Sequence, residues 1–191
     1  MRIVAGTYKG HPISAPKGAD TRPTSDRVRE AVFSSLGSMG VDLDGAAVLD
    51  LFCGSGAMGL EALSRGASRA TLVDTARSAA ATAASNVDRL GVSGVARVLT
   101  RDAFKLVRSP VPGAPFALLF LDPPYRIDPA RVRQLLEDAA ASDLLSEGAV
   151  VVYELCAREE PTWPDGFAPI GSKTYGGTRV AYGVWRKEHS S

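Results

Sequence analysis

The chain has only two cysteines among its 191 residues, Cys53 and Cys156. They lie too far apart for the close spacing of a zinc site or a redox pair, so both read as buried thiols, and neither a metal nor a disulfide is expected. No apolar run approaches the ~18 residues that cross a bilayer. The polar-interrupted start between Arg2 and Lys9 does not resemble a signal peptide, so a soluble, cytoplasmic chain is expected. Net charge is nearly absent as well, at +1. That balance would ordinarily argue against a nucleic-acid partner, but the charge is unevenly spread. Residues 1–30 hold six Lys/Arg against three Asp/Glu, and residues 171–187 hold four against none. A local basic surface can bind phosphates whatever the total; scattered solvated charges are the bland alternative. What the chain does have is apolar bulk, 45% of its residues, enough for one substantial α/β domain with a small appendage.

The order of patterns supports that reading. Residues 2–17 alternate and turn around Gly6, Gly10 and Pro12, which predicts a small β-hairpin. His11 on it reads as an exposed side chain sooner than as a base. After Arg22-Pro23-Thr24-Ser25-Asp26, a helix start with caps and an acid for its positive end, Val28, Val32 and Leu36 recur every four residues, with Arg27, Arg29 and Glu30 on other faces. Strands and helices then alternate. Strands are predicted at 47–51, 71–74, 95–99, 116–121 and 149–153, with helices at 57–65, 76–90 and 129–141 between them. Crossovers of this kind give a mostly parallel sheet with helices on both faces. The glycine turn at Gly176-Gly177, followed by Val180, Tyr182 and Val184 with period two, predicts a closing antiparallel hairpin. The expected fold is a Rossmann-like α/β domain of residues 24–191 with a seven-stranded sheet, preceded by a hairpin extension of residues 1–23.

Two stretches carry chemistry. The apolar run Phe116–Leu121 delivers Asp122-Pro123-Pro124-Tyr125 to a strand end. Prolines lack an N–H, so the turn keeps acceptors available beside a flat ring, which suits a nucleobase with an exocyclic amine; an ordinary strand-ending turn is the alternative. The second stretch, Asp50-Leu51-Phe52-Cys53-Gly54-Ser55-Gly56-Ala57-Met58-Gly59, contains a G-x-G-x-x-G and opens a helix after a strand, where open α/β sheets bind ligands. Asp74 follows eighteen residues after Gly56, about where a dinucleotide fold places its ribose-binding acid, so an NAD-dependent oxidoreductase must be weighed. Asp50 argues against it, because that carboxylate would repel a pyrophosphate and attract an ammonium or sulfonium. S-adenosylmethionine is therefore the expected cofactor. Asp50, Phe52, Gly54 and Gly56 would form its loop, Asp74 would accept the ribose hydroxyls, and Asp102 with Ala103 and Phe104 would meet the adenine. Each acid taken alone is more often a helix cap; three at successive strand ends with the glycine loop make the constellation.

The sequence resembles the bacterial small-subunit ribosomal RNA guanine-N2 methyltransferases over nearly its whole length: Arg2-Ile3-Val4-Ala5-Gly6, Arg22 through Glu30, Asp50 through Gly66, the Asp-Pro-Pro-Tyr turn and Lys173-Thr174-Tyr175-Gly176. The amino-terminal Arg-Pro-Thr segment is the discriminating part. One departure is Asp74, where that family often has Glu. The resemblance implies methylation of a guanine exocyclic amine in 16S RNA of an assembling 30S subunit, by a chain expected to be monomeric and metal-free. Asp122 and the Pro123 carbonyl would accept the amine's N–H bonds, with Pro124 shaping the turn and Tyr125 stacking on the base. Arg2, Lys9, Lys17, Arg22, Arg27, Arg29, Lys173 and Arg179 are the candidate phosphate contacts. A DNA amino-methyltransferase would use the same turn. A non-catalytic RNA-binding protein would fit the basic ends but leave Asp122 and the glycine loop unexplained.

Overall fold

The structure, a computed structural model, describes residues 1–15 and 26–187. The elements run α1 (Asp26–Ser38), β1 (Ala47–Leu51), α2 (Ala57–Ser64), β2 (Arg69–Asp74), α3 (Arg77–Leu90), β3 (Ala96–Thr100), α4 (Ala103–Leu106), β4 (Phe116–Leu121), α5 (Pro129–Ala141), β5 (Leu145–Cys156), β6 (Phe167–Tyr175) and β7 (Thr178–Trp185). Among the described residues no helix is long and apolar enough to cross a membrane.

All seven strands form one sheet in the order β3-β2-β1-β4-β5-β7-β6. The first five pair in parallel, and β7 inserts antiparallel between β5 and β6, so the expected mostly parallel sheet with an antiparallel closing hairpin is what forms. Strands buried on both faces need apolar residues at every position, and the five residues of β1 are all buried, Asp50 included. Side-chain alternation splits the interior into two layers. Val48, Leu118 and Phe120 face α1, α2 and α3, while Leu49, Leu51, Leu119 and Leu121 face α4 and α5.

The chain leaves β1 toward β2 on one side and reaches β4 on the other. The order reverses between those two strands, and open α/β sheets bind ligands at the carboxyl ends around that point. Leu51 is in register with Leu121, so Phe52 and Asp122 leave adjacent strands side by side. Likewise Leu121 is in register with Tyr153, which brings Glu154 alongside Asp122.

Three details differ from the sequence expectation. The amino-terminal hairpin is reduced to one bridge, Arg2 with Pro12, closed by Ile3 N–H to the His11 carbonyl at 2.9 Å. Gly10 and Ile13 N–H also pair its arms, through the Ile3 and Met1 carbonyls, while Val4 and Ala5 donate to the Glu61 carboxylate on α2 at 2.8 and 3.0 Å, and Ile3 and Ile13 are buried in the α1–α3 layer. Gly6 approaches α2 so closely that a Cβ would lie 1.7 Å from the Ser64 carbonyl oxygen. The second difference is β5, which begins at Leu145 and not near 149; polar Ser146 and Glu147 and the positive-φ Gly148 conceal its start in the sequence, beside a register shift between Phe116 and Leu118. The third is the four-residue α4, too short to leave a periodic signal.

Candidate functional site

The glycine loop is held from below and from the side. Gly56 is the residue before α2, at φ +77°, and a Cβ there would meet Leu72 Cδ1 at 2.8 Å; only glycine fits both the conformation and the space. Gly54, by contrast, has nothing within 4 Å of a would-be Cβ, so the loop presents bare backbone to the cleft. Asp50 lies beneath the first turn of α2 and its Oδ2 accepts the Gly59 N–H at 3.0 Å. Gly59 is needed there because a Cβ would fall 2.3 Å from Leu72 Cδ2. Burial, with Asp74 nearby and against the Gly59 hydrogen bond, pushes the Asp50 carboxyl up to about 7.

Asp74 ends β2 with both oxygens occupied, Oδ2 by the Gly54 N–H at 2.9 Å and Oδ1 by the Ala76 N–H at 2.8 Å. Asp102 caps α4 through the Lys105 N–H at 3.2 Å, so the cap reading weighed from sequence holds for it, while it also lines the cleft. Phe52 and Phe104 meet edge to face with centroids 5.8 Å apart, and the Arg131 guanidinium sits 4.4 Å over the Phe104 ring. With Asp74, Asp102, Ala103 and Ile127 these residues border a cleft of about 170 Å³ whose far wall is Pro124. Acids beside aromatic faces suit an adenosine, and the buried acid under the bare loop suits a cationic amino-acid group.

Asp122 is the contrasting case. Half-buried, it has no hydrogen-bond donor among the described residues, and its carboxyl is held well above the usual range by burial, then by Glu154 and Asp50. Pro123 is buried and Pro124 exposed. Tyr125 keeps 50% of its surface exposed while its hydroxyl shares a 3.1 Å hydrogen bond with Thr178 Oγ1 at the start of β7. A flat ring is thereby tethered at its polar tip beside a carboxylate with spare acceptor capacity.

The candidate phosphate contacts fare unevenly. Arg29 is fully buried, with Nε to Glu61 at 3.3 Å, Nη2 to Asp26 at 2.9 Å and a further bond to the Arg2 carbonyl; it locks the amino-terminal segment to α1 and α2 and is unavailable to a phosphate. Arg179 is likewise turned inward, paired with Glu160 and donating to the Ala157 carbonyl at 3.3 Å. Lys173 is exposed and donates to Ser35 Oγ at 3.2 Å, Arg2 lies 3.9 Å from Asp26, and Lys9 and Arg27 are exposed. Lys17 and Arg22 lie outside the described residues. Sequence reasoning also passed over Glu154, although it directly follows the strand expected at 149–153, the very signal used for the other acids. Thr178 and the arginines of the cleft mouth, set by hairpin register and helix phase, gave no comparable signal.

The reversed strand order, the glycine loop and the strand-end acids define the Rossmann-like fold of S-adenosylmethionine-dependent methyltransferases. A family model described as conserved hypothetical protein 95 matches residues 1–184, and the chain belongs to that family. It is 35% identical to the ribosomal RNA small subunit methyltransferase D of Escherichia coli strain K12 over 193 residues, 98% of this chain and 90% of that protein. YlbH of Bacillus subtilis strain 168 is also 35% identical, over 95% of this chain and 97% of its own length. The solved structure of Escherichia coli yhhF superposes with a TM-score of 0.83 at 33% identity, covering 98% of this chain and 99% of that one. The resemblance drawn from the amino-terminal and strand-end motifs is thus borne out at the level of the family.

Proposed function

We propose that this protein transfers the methyl group of S-adenosylmethionine to the exocyclic N2 amine of a guanine in 16S ribosomal RNA, acting as a cytoplasmic monomer on an assembling 30S subunit. The single observation that carries the chemistry is the gathering of Asp50, Asp122 and Glu154 near the carboxyl ends of β1, β4 and β5, where burial, then Glu154 and Asp50, hold the Asp122 carboxyl well above its usual range. Such a site favours a ligand bearing positive charge, and a sulfonium with an ammonium supplies two. When bound, S-adenosylmethionine supplies an electrophilic methyl group. The names of the relatives support RNA as the acceptor.

The residues then divide the work. A guanine 2-amino nitrogen is a poor nucleophile because its lone pair is delocalised into the ring. Asp122 and the Pro123 carbonyl accept its two N–H bonds and turn the lone pair toward the incoming methyl. The nitrogen would take the methyl from the sulfur of S-adenosylmethionine, leaving S-adenosylhomocysteine, and would then give its extra proton to Asp122; a carboxylate whose pKa is raised is the better acceptor for it. Tyr125 stacks on the base, whose extrusion costs a few kcal/mol; stacking of ~1–3 kcal/mol offsets that cost. Holding the base against the cofactor site would supply much of the remainder.

The test offers labelled cofactor to the protein with 30S particles, naked 16S RNA and duplex DNA, followed by digestion to nucleosides. Label in N2-methylguanosine from an RNA arm is the expected result. Label confined to DNA adenine or cytosine would replace this reading with that of a DNA amino-methyltransferase.

A further inference from the structure

We infer that Arg101, Arg126 and Arg131 form a phosphate-binding rim at the mouth of the cleft, contacting the RNA backbone beside the target nucleotide; this rests on the function proposed above. Arg29 is consumed by a buried ion pair and Arg179 is paired with the exposed Glu160, so neither is left free for a phosphate. The three rim arginines come from separate places, the end of β3, the turn after Tyr125 and the second residue beyond Pro129 in α5, yet all border the same opening as Pro124. All three are exposed.

Acids lie close to them, but each is otherwise engaged. Asp74 accepts from two backbone amides, Asp102 caps α4, and Asp128 caps α5 through the Ala130 N–H at 2.9 Å. No ion pair joins any of the three arginines to a described acid. Their charge is therefore offered outward. Arg131 is also held in place: its guanidinium carbon lies 4.4 Å from the centroid of the Phe104 ring, a contact that keeps the group at the cleft mouth with N–H donors left for a phosphate. The cleft floor is acidic and takes the cationic cofactor; the rim is basic and takes the polyanion. A nucleotide whose base stacks on Tyr125 would carry its flanking phosphate past Arg126, the next residue.

The experiment compares wild type, the triple variant R101Q/R126Q/R131Q and its lysine counterpart R101K/R126K/R131K. Binding of naked 16S RNA is measured against salt, S-adenosylhomocysteine affinity by calorimetry, and kcat and KM for the RNA. Three lost contacts to a single strand should lower the log–log salt slope by about 2 in the glutamine variant, with KM for RNA raised at least tenfold. The lysine variant should keep the slope. An unchanged slope in the glutamine variant overturns the inference, as does a tenfold loss of S-adenosylhomocysteine affinity at constant slope, which would make the arginines part of the adenosine site. A lysine variant as weak as the glutamine one also overturns it. Should wild type transfer methyl to no RNA, the function itself falls and the rim with it; methyl transfer at an unchanged slope removes the rim alone.

Discussion

The two halves of the cleft are built on opposite principles. On the β1–β2–β3 side every acid is tied to the backbone: Asp50 to Gly59, Asp74 to Gly54 and Ala76, Asp102 to Lys105. On the β4–β5 side Asp122 has no such partner and sits beside Glu154 with its pKa pushed up. Acids of the first half serve the loop's conformation and the ligand together, so the cofactor side is assembled when the chain folds. Asp122 contributes nothing comparable to the fold; as an ion it costs stability, which is a mark of groups held for chemistry.

The largest effect that sharpens this contrast is expected from Asp122→Asn. Turnover should fall at least ~10²-fold, the order seen when a positioned acid–base group is lost, while S-adenosylhomocysteine affinity stays the same. Stability should move the other way. The folded-state pKa of Asp122 lies above its ordinary value, so whatever stability accompanies the protonated group is present at low pH and is lost as pH rises through the raised value. The asparagine removes that loss, and its melting temperature should exceed that of wild type by a margin that widens from pH 5 to pH 8. A variant melting several degrees lower at pH 8 would make Asp122 a structural residue and erase the contrast.

Gly59→Ala is the matching test of the other half. The added methyl meets Leu72 Cδ2 at 2.3 Å in the core and Asp50 Oδ2 at 3.4 Å. Overpacking of this kind costs ~1–3 kcal/mol, and relieving the clash with Leu72 shifts the turn of α2 whose Gly59 N–H is bonded to Asp50. Melting temperature and cofactor affinity should therefore drop together, where Asp122→Asn separates stability from turnover. A loss of stability with cofactor affinity intact would show that Asp50 and the loop are less tightly joined than the 3.0 Å bond implies.

How far this arrangement was legible in the sequence follows the same division. The parallel sheet, its closing hairpin and the glycine loop announce themselves through period-two and buried-strand patterns and through glycines at positions where a Cβ cannot go. Asp50, Asp74 and Asp102 were readable because each ends or follows such a strand. Arg29 was misread, yet it stands at spacing 0, 3, 4 and 7 with Val32, Phe33 and Leu36, which is the buried stripe of α1. A charge on that stripe is buried only if an opposing acid awaits it, and Glu61 is thirty-two residues away on another helix. The same holds for Tyr125 with Thr178 and for the three rim arginines: tertiary register unites residues that no local pattern connects.

A smaller effect should appear in the pH dependence of cofactor binding. The Asp50 carboxyl is raised to about 7, so in the empty site it is ionised mainly above that pH and neutral below it. S-adenosylhomocysteine keeps the ammonium and lacks the sulfonium, which isolates the contact. Its affinity should rise from pH 6 to pH 8, by at most ~10-fold per pH unit below the transition. Asp50→Asn should flatten the profile and Asp122→Asn should leave it in place. A flat profile in the wild type would detach Asp50 from the ligand and confine it to holding Gly59.

The smallest effect belongs to Tyr125→Phe. The ring remains, so stacking survives, and what disappears is one hydrogen bond to Thr178 Oγ1 at 3.1 Å on a half-exposed side chain. A neutral bond of this kind is worth ~0.5–1.5 kcal/mol. If the bond orients the ring for a base, the loss should surface as a several-fold higher KM for RNA with kcat nearly unchanged and a melting temperature lower by about 1–6 °C. Thr178→Val removes the same bond from the other end, and the double variant should be no worse than either single one, since one interaction cannot be lost twice. Additive losses would mean that Tyr125 and Thr178 act separately, and the catalytic half would then owe its geometry to Pro123 and Pro124 alone.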